Sequence, residues 1–145
     1  MNYELKFDRV QGGGNKTARR RVEVEPRSSS VLTREFICNT VASVFGVEAV
    51  QLDQPTRGRA KTALARQVAM YLAHVGCELS LTSVGRLFGR DRSTVAYACK
   101  RVEDEREEAS FDRAVTMMER SVRMIVKSSP ALRRDLMLLE QERGQ

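Results

Sequence analysis

SLTSVGRLFGRDRSTVAYACKR, residues 80–101, is the stretch from which the rest of the chain is best interpreted. Apolar residues recur at helical spacing in two groups, namely Leu81, Val84, Leu87 and Phe88, then Val95, Cys99 and Val102. Gly89 ends the first group, and Asp91 or Ser93 is placed to cap a second helix. The spacing therefore predicts two short helices joined by a tight turn, which is a helix-turn-helix.

The second predicted helix also has a polar face, opposite its apolar one. This face consists of Arg92, Ser93, Ala96, Tyr97 and Lys100. An ordinary helical hairpin has the same spacing. Arg92, Ser93 and Thr94 favour DNA binding instead, because donors in the first turn of a helix suit a phosphate or a base edge.

Two segments resemble the DNA-binding domain of the bacterial replication initiator DnaA. FGRDRSTVAYACKRVE, residues 88–103, is similar to its signature, and TALARQVAMYLAH, residues 62–74, to the helix before it, including the pair Arg66-Gln67. The resemblance covers residues 31–127 and implies an all-α domain that binds double-stranded DNA. No GxxxxGK[ST] sequence occurs in the 145 residues, which are too few for the initiator's ATPase half. We therefore expect a stand-alone DNA-binding protein.

Composition agrees with a partner that is a polyanion. The formal net charge is +6, and residues 31–102 contain ten lysines and arginines against five acidic residues. Residues 103–108, EDEREE, are strongly acidic and predict a solvated surface. A chain of this length forms one domain with tails, or one domain with a helical appendage.

The cysteines and the single histidine argue against a metal site or another cofactor. Cys38, Cys77 and Cys99 are irregularly spaced, without a CxxC or Cys/His pattern, and are best interpreted as small core residues. An odd number of cysteines suits a reducing cytoplasm, and a DNA-binding protein would lie at the nucleoid. The N-terminus lacks the apolar segment of a secretory signal, and no apolar run approaches the roughly 20 residues that span a bilayer.

The N-terminal part of the chain predicts an arm followed by a helix. Residues 1–30 contain three consecutive glycines, an Arg-Arg-Arg cluster and three serines, and we expect a flexible basic arm that either seeks phosphates or is simply solvated. A helix is predicted from Thr33, as N-cap, to Phe45, with a core stripe of Phe36, Ile37, Val41, Val44 and Phe45. Residues 47–52 are expected to form one short turn, with Leu52 packed inward.

A basic loop, DQPTRGRAK at residues 53–61, comes next and precedes a helix predicted at 62–76. The resemblance implies that this loop enters the minor groove, where an arginine gains from the negative potential of A·T-rich DNA; Arg57 or Arg59 is the best match, and Lys61 adds charge. A solvated linker is the alternative. The helix carries Leu64, Val68, Leu72 and Val75 on its apolar face and is expected to end at Gly76.

The resemblance also implies which residues contact DNA. Base edges are assigned to the first turn of the second helix, and phosphates to Arg66, Thr94, Lys100 and Arg101. The complete predicted set is Arg57, Arg59, Lys61, Arg66, Gln67, Arg90, Asp91, Arg92, Ser93, Thr94, Tyr97, Lys100 and Arg101. The chain has one glycine where the family has two, Arg92 where histidine is usual and Ser93 where threonine is usual. Since arginine prefers guanine, we expect a site that differs from the initiator's own.

Two apolar stripes follow the helix-turn-helix. Phe111, Val115, Met118, Val122 and Ile125 repeat at coiled-coil spacing, and packing on the domain is favoured over a coiled-coil seam. Residues 128–145 predict an amphipathic helix marked by Leu132, Leu136 and Leu139, which needs a partner surface to be stable. That surface could belong to its own domain, to a second copy or to another protein. We expect an intermolecular contact, with residues 111–143 as the possible interface to a second copy or a protein partner.

The sequence favours one function over three alternatives. The favoured one is a sequence-specific DNA-binding protein that regulates transcription, with helix 92–102 in the major groove and loop 53–61 in the minor groove. Alternatives are a regulator of replication initiation that competes at initiator boxes, and a protein-interaction module that retains the fold without binding DNA. An enzyme, such as a transposase fragment, is disfavoured because the sequence has no paired carboxylates, no Cys/His pair and no glycine-rich phosphate loop.

Overall fold

A computed structural model describes residues 29–53 and 59–141 of the chain. All secondary structure within these ranges is helical, which confirms the predicted all-α class. The elements are α1 (Ser29–Phe45), a 3₁₀ turn (Ala49–Asp53), α2 (Ala60–Tyr71) with a π-helical continuation (Leu72–Gly76), α3 (Leu81–Phe88), α4 (Arg92–Glu105), α5 (Ala109–Ser128) and α6 (Pro130–Gln141). The predicted arm at 1–30 lies outside the described residues except for Ser29 and Ser30, which begin α1.

Helix α1 starts earlier than predicted. Thr33 is not its N-cap but a buried residue inside the helix, because its N–H and hydroxyl both donate to the carboxylate of Asp135. Val44, predicted in the core, is 40% exposed, whereas Ile37 and Val41 are fully buried. Gly46, at a φ of +64°, follows the last residue of α1, as expected.

The short turn that follows α1 was predicted correctly and is tied to two other elements. Leu52 in this turn is buried. Asp53 forms an ion pair with Arg34 of α1, and the Arg34 guanidinium lies 5.9 Å from the centroid of the Phe88 ring. The turn therefore links α1 to the end of α3.

Helix α2 begins at Ala60, two residues before the predicted start. Three alanines of α2 and its continuation, Ala65, Ala69 and Ala73, are fully buried with Val68 and Leu72. Leu64 and Val75, predicted in the core, are only half-buried, as is Phe36 of α1. The alanines give α2 a flat face, and the largest set of contacts between elements joins this helix to α4.

The prediction that Gly76 caps this helix is wrong, because the cap position is Cys77. Gly76 instead allows close packing of α5. A Cβ placed on Gly76 would lie 3.3 Å from Cγ1 of Val122. The glycine thus makes room for the close approach of a later helix, which the local sequence does not reveal.

Helix α5 packs on the domain, as the favoured interpretation predicted. Val115, Met118 and Val122 are buried, and the ring of Phe111 meets that of Phe45 edge-on with 6.5 Å between centroids. Ile125, predicted to continue the buried stripe, is 41% exposed. The stripe therefore leaves the core before the helix ends.

Arg106, within the segment predicted to be a solvated acidic surface, is the centre of a polar cluster. Its Nε donates to Asp112 at 2.6 Å, Nη1 donates to Glu119 at 2.6 Å and to the Tyr71 hydroxyl at 3.0 Å, and Nη2 donates to Thr116 at 2.9 Å. Burial alone lowers the pKa of this guanidinium, but the hydrogen bonds to Asp112, Tyr71 and Glu119 raise it overall. Arg106 therefore fastens the α4–α5 turn to both α2 and α5.

Helix α6 packs on α1 of the same chain. Leu132 and Leu139 are buried, and Asp135 is only 4% exposed, where it receives the two hydrogen bonds from Thr33. The chain's own α1 therefore supplies the surface that covers this leucine stripe, and an intermolecular contact through residues 111–143 stays a prediction. No helix in residues 29–53 and 59–141 has the length and hydropathy to cross a membrane.

Candidate nucleic-acid interface

The turn between α3 and α4 depends on two glycines. Gly89 adopts the left-handed conformation, with φ 63° and ψ 42°, as its predicted role at the end of α3 requires. The Arg90 N–H donates to the Gly85 carbonyl at 2.8 Å, and a Cβ on Gly85 would lie only 2.6 Å from the Arg90 carbonyl oxygen. The sequence analysis missed Gly85, because a glycine inside a helix gives no sign of which backbone approaches it.

The first turn of α3 is held by its own cap and by α6. Ser80 is the N-cap, and its hydroxyl oxygen accepts the Ser83 N–H at 3.1 Å. The Ser80 N–H donates to Oε1 of Glu140 at 2.9 Å, and the Ser83 hydroxyl donates to the Leu139 carbonyl at 3.4 Å. The end of α6 therefore fixes the start of the helix-turn-helix.

The structure shows which of the two predicted cap residues, Asp91 or Ser93, occupies the N-cap of α4. Asp91 occupies the N-cap position, with φ −68° and ψ 150°, and its carbonyl accepts the Val95 N–H at 3.1 Å, while Ser93 lies inside the helix. The Asp91 side chain is exposed and makes no capping hydrogen bond. A carboxylate that is exposed and makes no capping hydrogen bond can accept a hydrogen bond from an amino group on a base edge.

Helix α4 is buried on one face and exposed on the other. Val95, Ala98, Cys99 and Val102 are buried, with Val84, Leu87 and Phe88 of α3 beside them, which confirms this part of the predicted core. The exposed face, called the α4 polar face below, consists of Arg92, Ser93, Thr94, Ala96, Tyr97, Lys100 and Arg101. Tyr97 is 62% exposed, although an aromatic ring gains from burial. Arg101 pairs with Glu105 at 3.2 Å on the surface.

Arg66 makes contacts that the sequence did not suggest. Its Nε donates to the Leu52 carbonyl and one terminal nitrogen donates to the Gln51 carbonyl, each at 3.1 Å, which anchors the 3₁₀ turn to α2. Burial and then the positive charge of Arg90 lower the pKa of the Arg66 guanidinium. Arg66 and Arg90 thus form a basic spot beside the first turn of α4, and Gln67 is half-buried next to it.

The predicted minor-groove loop is only partly described. Arg57 lies outside the described residues. Arg59 is exposed at the N-cap position of α2 without a side-chain capping bond, and Lys61 is exposed in the first turn of the same helix. Because α2 packs directly on α4, these two cations belong to the helix next to the α4 polar face.

The cysteines are buried, as predicted. Burial raises the pKa of the thiols to about 11 at Cys38, about 12 at Cys77 and about 11 at Cys99. A protonated thiol is a poor nucleophile and a poor metal ligand. Within the described part of the chain, no group of three or more His, Cys, Asp or Glu side chains could hold a metal ion.

Comparison with known proteins adds an independent observation. Residues 34–102, from α1 to the buried part of α4, match the family profile described as bacterial dnaA protein helix-turn-helix. The chromosomal replication initiator protein DnaA 2 of Chlamydia trachomatis serovar D is 42% identical over 80 residues, which are 55% of this chain and 17% of that protein. DnaA 1 of Protochlamydia amoebophila is 35% identical over 109 residues, 74% of this chain and 24% of that protein. The chain thus spans less than a quarter of the length of these relatives.

Proposed function

Residues 34–102 belong to the bacterial DnaA helix-turn-helix family, a family of DNA-binding domains, and from this premise we propose that the chain regulates transcription by recognising a specific duplex sequence. The observation that supports this most is the α4 polar face, which stays exposed while the opposite face is buried. A recognition helix must be fixed on one side and open on the other to enter the major groove.

The proposed roles follow the position of each side chain. Asp91, Arg92 and Ser93, at the start of α4, contact base edges together with Arg90, and Tyr97 lies one turn further along. Phosphates are contacted by Thr94, Lys100, Arg101, Arg66 and Gln67, which fixes the register of the helix on the duplex. Arg57 or Arg59, with Lys61 beside them, enters the minor groove.

Arg66 can serve both the fold and the phosphate. Its two hydrogen bonds to carbonyls use Nε and one terminal nitrogen, so the other terminal nitrogen is left for a phosphate oxygen. Lysine carries all three of its donors on one nitrogen, so it cannot reach the two carbonyls and a phosphate as the separate nitrogens of a guanidinium can. Arg66→Lys is therefore expected to weaken DNA binding through the 3₁₀ turn as well as through the lost contact.

Arg92 is the residue proposed to set the preferred sequence. It is exposed in the first turn of α4, where a guanidinium can donate to O6 and N7 of guanine, a contact worth about 1–3 kcal/mol of discrimination. Ser93 lacks the methyl group with which threonine packs on thymine. The proposed site therefore differs from the initiator's box by a guanine opposite Arg92.

The test is a selection from randomised duplexes with the wild-type chain and with Arg92→His. We expect a guanine at one position to be lost with histidine, while the rest of the site is kept. An identical optimum for both proteins would show that Arg92 only contacts a phosphate. Lack of any sequence preference in the wild-type chain would overturn the proposed function as a whole.

Lys100 provides a separate prediction about affinity. If it contacts a phosphate, Lys100→Ala weakens binding to all sequences alike and lowers the slope of log affinity against log salt by about one unit. Binding isotherms at several salt concentrations measure this slope. A changed sequence preference with an unchanged slope would contradict the assignment of Lys100.

Control of replication initiation is a second candidate function. The similarity of the chain to proteins named as chromosomal replication initiators supports it. A chain with a related recognition helix could compete for initiator boxes. Genome-wide chromatin profiling of the full chain separates the two, because enrichment at the origin favours competition and enrichment at promoters favours transcriptional control.

A further inference from the structure

The outer face of α5 carries a shallow groove that the DNA-binding residues do not share. It is open to solvent, and all of its lining residues lie on this one helix, among them Asp112, Arg113, Met117, Arg120 and Met124. None of its lining residues lies on α3 or α4. An occupant of this groove would therefore be recognised by a surface separate from the α4 polar face.

The two methionines of the groove are exposed to an unusual degree. Met117 is 55% exposed and Met124 is 64% exposed, while Met118, next to Met117 in sequence, is 1% exposed in the core. Methionine adapts its shape to a partner, and methionine and arginine are both enriched at protein interfaces. The groove thus has the composition of a docking surface.

The charge of the groove is positive because its two arginines outnumber its one carboxylate, Asp112, which is paired with Arg106. Asp112 and Glu119, the only acidic residues of this helix, both bind Arg106 at 2.6 Å. The basic residues of α5 outnumber them two to one; they are Arg113, Arg120, Arg123 and Lys127. A partner that covers the methionines must therefore place negative charge beside the arginines.

We propose that this groove binds an amphipathic helix of another protein, with apolar side chains over Met117 and Met124 and carboxylates beside Arg113 and Arg120. Helix-in-groove recognition needs apolar anchors three or four residues apart, which this spacing of methionines and arginines complements. A second copy docked through the same face would add its own Arg113 and Arg120 to the interface, and an excess of like charge there is unfavourable. A phosphate backbone would satisfy the arginines but would leave the methionines without an apolar partner.

Methyl NMR of the full chain with ¹³C-methyl methionine tests the proposal. The probe is a synthetic helix-forming peptide of about four turns, with leucines every three or four residues and glutamates beside them. We expect the methyl resonances of Met117 and Met124 to shift on titration. The buried Met118, and Met137, which is exposed outside the groove, provide internal controls in the same spectrum.

Two variants and a second peptide make the result decisive. Arg120→Glu is expected to weaken peptide binding about tenfold, whereas Arg133→Glu, an exposed change on α6 outside the groove, is expected to leave it unchanged. A peptide with lysines in place of the glutamates should not bind. Equal binding of both peptides, or no shift at Met117 and Met124, would overturn the proposal.

Other occupants give different and equally clear outcomes. Shifts of Met117 and Met124 on concentrating the chain alone would mean that a second copy covers the groove. Shifts on adding a DNA duplex of unrelated sequence would mean that the face binds phosphates. Either result would replace the proposed helical partner, and neither depends on whether α4 recognises a specific sequence.

Discussion

The helix-turn-helix and the α5–α6 segment rest on one core but are held to it by different forces. In the helix-turn-helix, Gly85 lets the backbone of Arg90 approach closely, Gly89 supplies a positive φ, and the key contacts of the turn lie within a few residues. In the segment from the α4–α5 turn to α6, Arg106 makes a half-buried polar contact with a residue 35 positions away, and Asp135 makes a buried one with a residue 102 positions away. The first region should therefore be sensitive to added volume, and the second to a lost polar partner.

Removal of the Arg106 side chain should have the largest effect on stability. In Arg106→Met, Glu119, whose side chain is 12% exposed, loses its ion-pair partner, and the Tyr71 hydroxyl loses one of its two hydrogen-bond partners. Breaking a buried ion pair costs about 3–5 kcal/mol, and the partial exposure of Asp112 places this variant near the lower value. Urea unfolding measures the change in free energy.

The matched control for that variant is Arg101→Met. Arg101 also pairs with a glutamate, but both side chains are 40% exposed or more, and surface pairs contribute about 0–1 kcal/mol. A loss of equal size in the two variants would show that Arg106 is no more than a surface cation, and the comparison between the two regions would fail.

A single methyl group at Gly85 should damage the helix-turn-helix. The Cβ in Gly85→Ala meets the carbonyl oxygen of Arg90 at 2.6 Å, so the turn must open, at a cost of about 2–3 kcal/mol. We expect DNA affinity to fall as well, because the turn sets the position of α4.

Gly89→Ala separates steric blocking from backbone strain. No atom lies within 4 Å of the Cβ it adds, and the positive φ alone costs about 1 kcal/mol. Thermal and urea unfolding of both variants give the comparison. If Gly89→Ala were the more damaging change, the close approach at Gly85 would not control the turn.

The titration of Asp135 should have the smallest effect on stability, and it should appear as a dependence of the free energy of unfolding on pH. Burial raises the pKa of this carboxyl above its ordinary value, and the hydrogen bonds from Thr33 offset part of that shift. Because the pKa of Asp135 is higher in the folded state than in the unfolded state, its carboxyl contributes most to stability below the unfolded pKa of about 3.9. This contribution is lost as the pH rises through the folded pKa.

Asp135→Asn removes this titration while it keeps an oxygen that accepts from Thr33. We expect the stability of wild type relative to Asp135→Asn to decrease as the pH rises from below 4 toward neutrality. Urea unfolding of both proteins across this range isolates Asp135, because other carboxyls titrate alike in the two. A relative stability of wild type that increases with pH would mean that the folded pKa is lowered instead.

The same division between the two regions explains what the sequence could predict. The helix-turn-helix was predictable because its buried residues repeat at 3.6-residue spacing and Gly89 and Asp91 act on their immediate neighbours. The exposed positions on α4 followed from the same periodicity. Start positions were less accurate, as at Thr33 and Ala60, because a cap preference is weaker than a tertiary contact.

The sequence did not reveal the contacts between residues that are distant along the chain. Arg106 appeared to be one charge in an acidic segment, and nothing near it in sequence indicates Tyr71 or Glu119 as partners. Leu132 and Leu139 predicted an apolar face correctly, but periodicity does not say which surface covers it. Arg66 was expected at a phosphate, and its hydrogen bonds to the Leu52 and Gln51 carbonyls depend on a turn 14 and 15 residues away.

The contact between α6 and α1 has a consequence for the order in which the chain folds. The Thr33–Asp135 bond closes a loop of 102 residues, whereas contacts within the helix-turn-helix close loops of a few residues. Loop closure becomes costlier with length, by about 0.6 kcal/mol for each doubling, so local contacts form first and the pairing of the first and last helices completes the fold. We therefore expect α6 to open more readily than the helices of the helix-turn-helix, and each opening would release the start of α3 from Glu140.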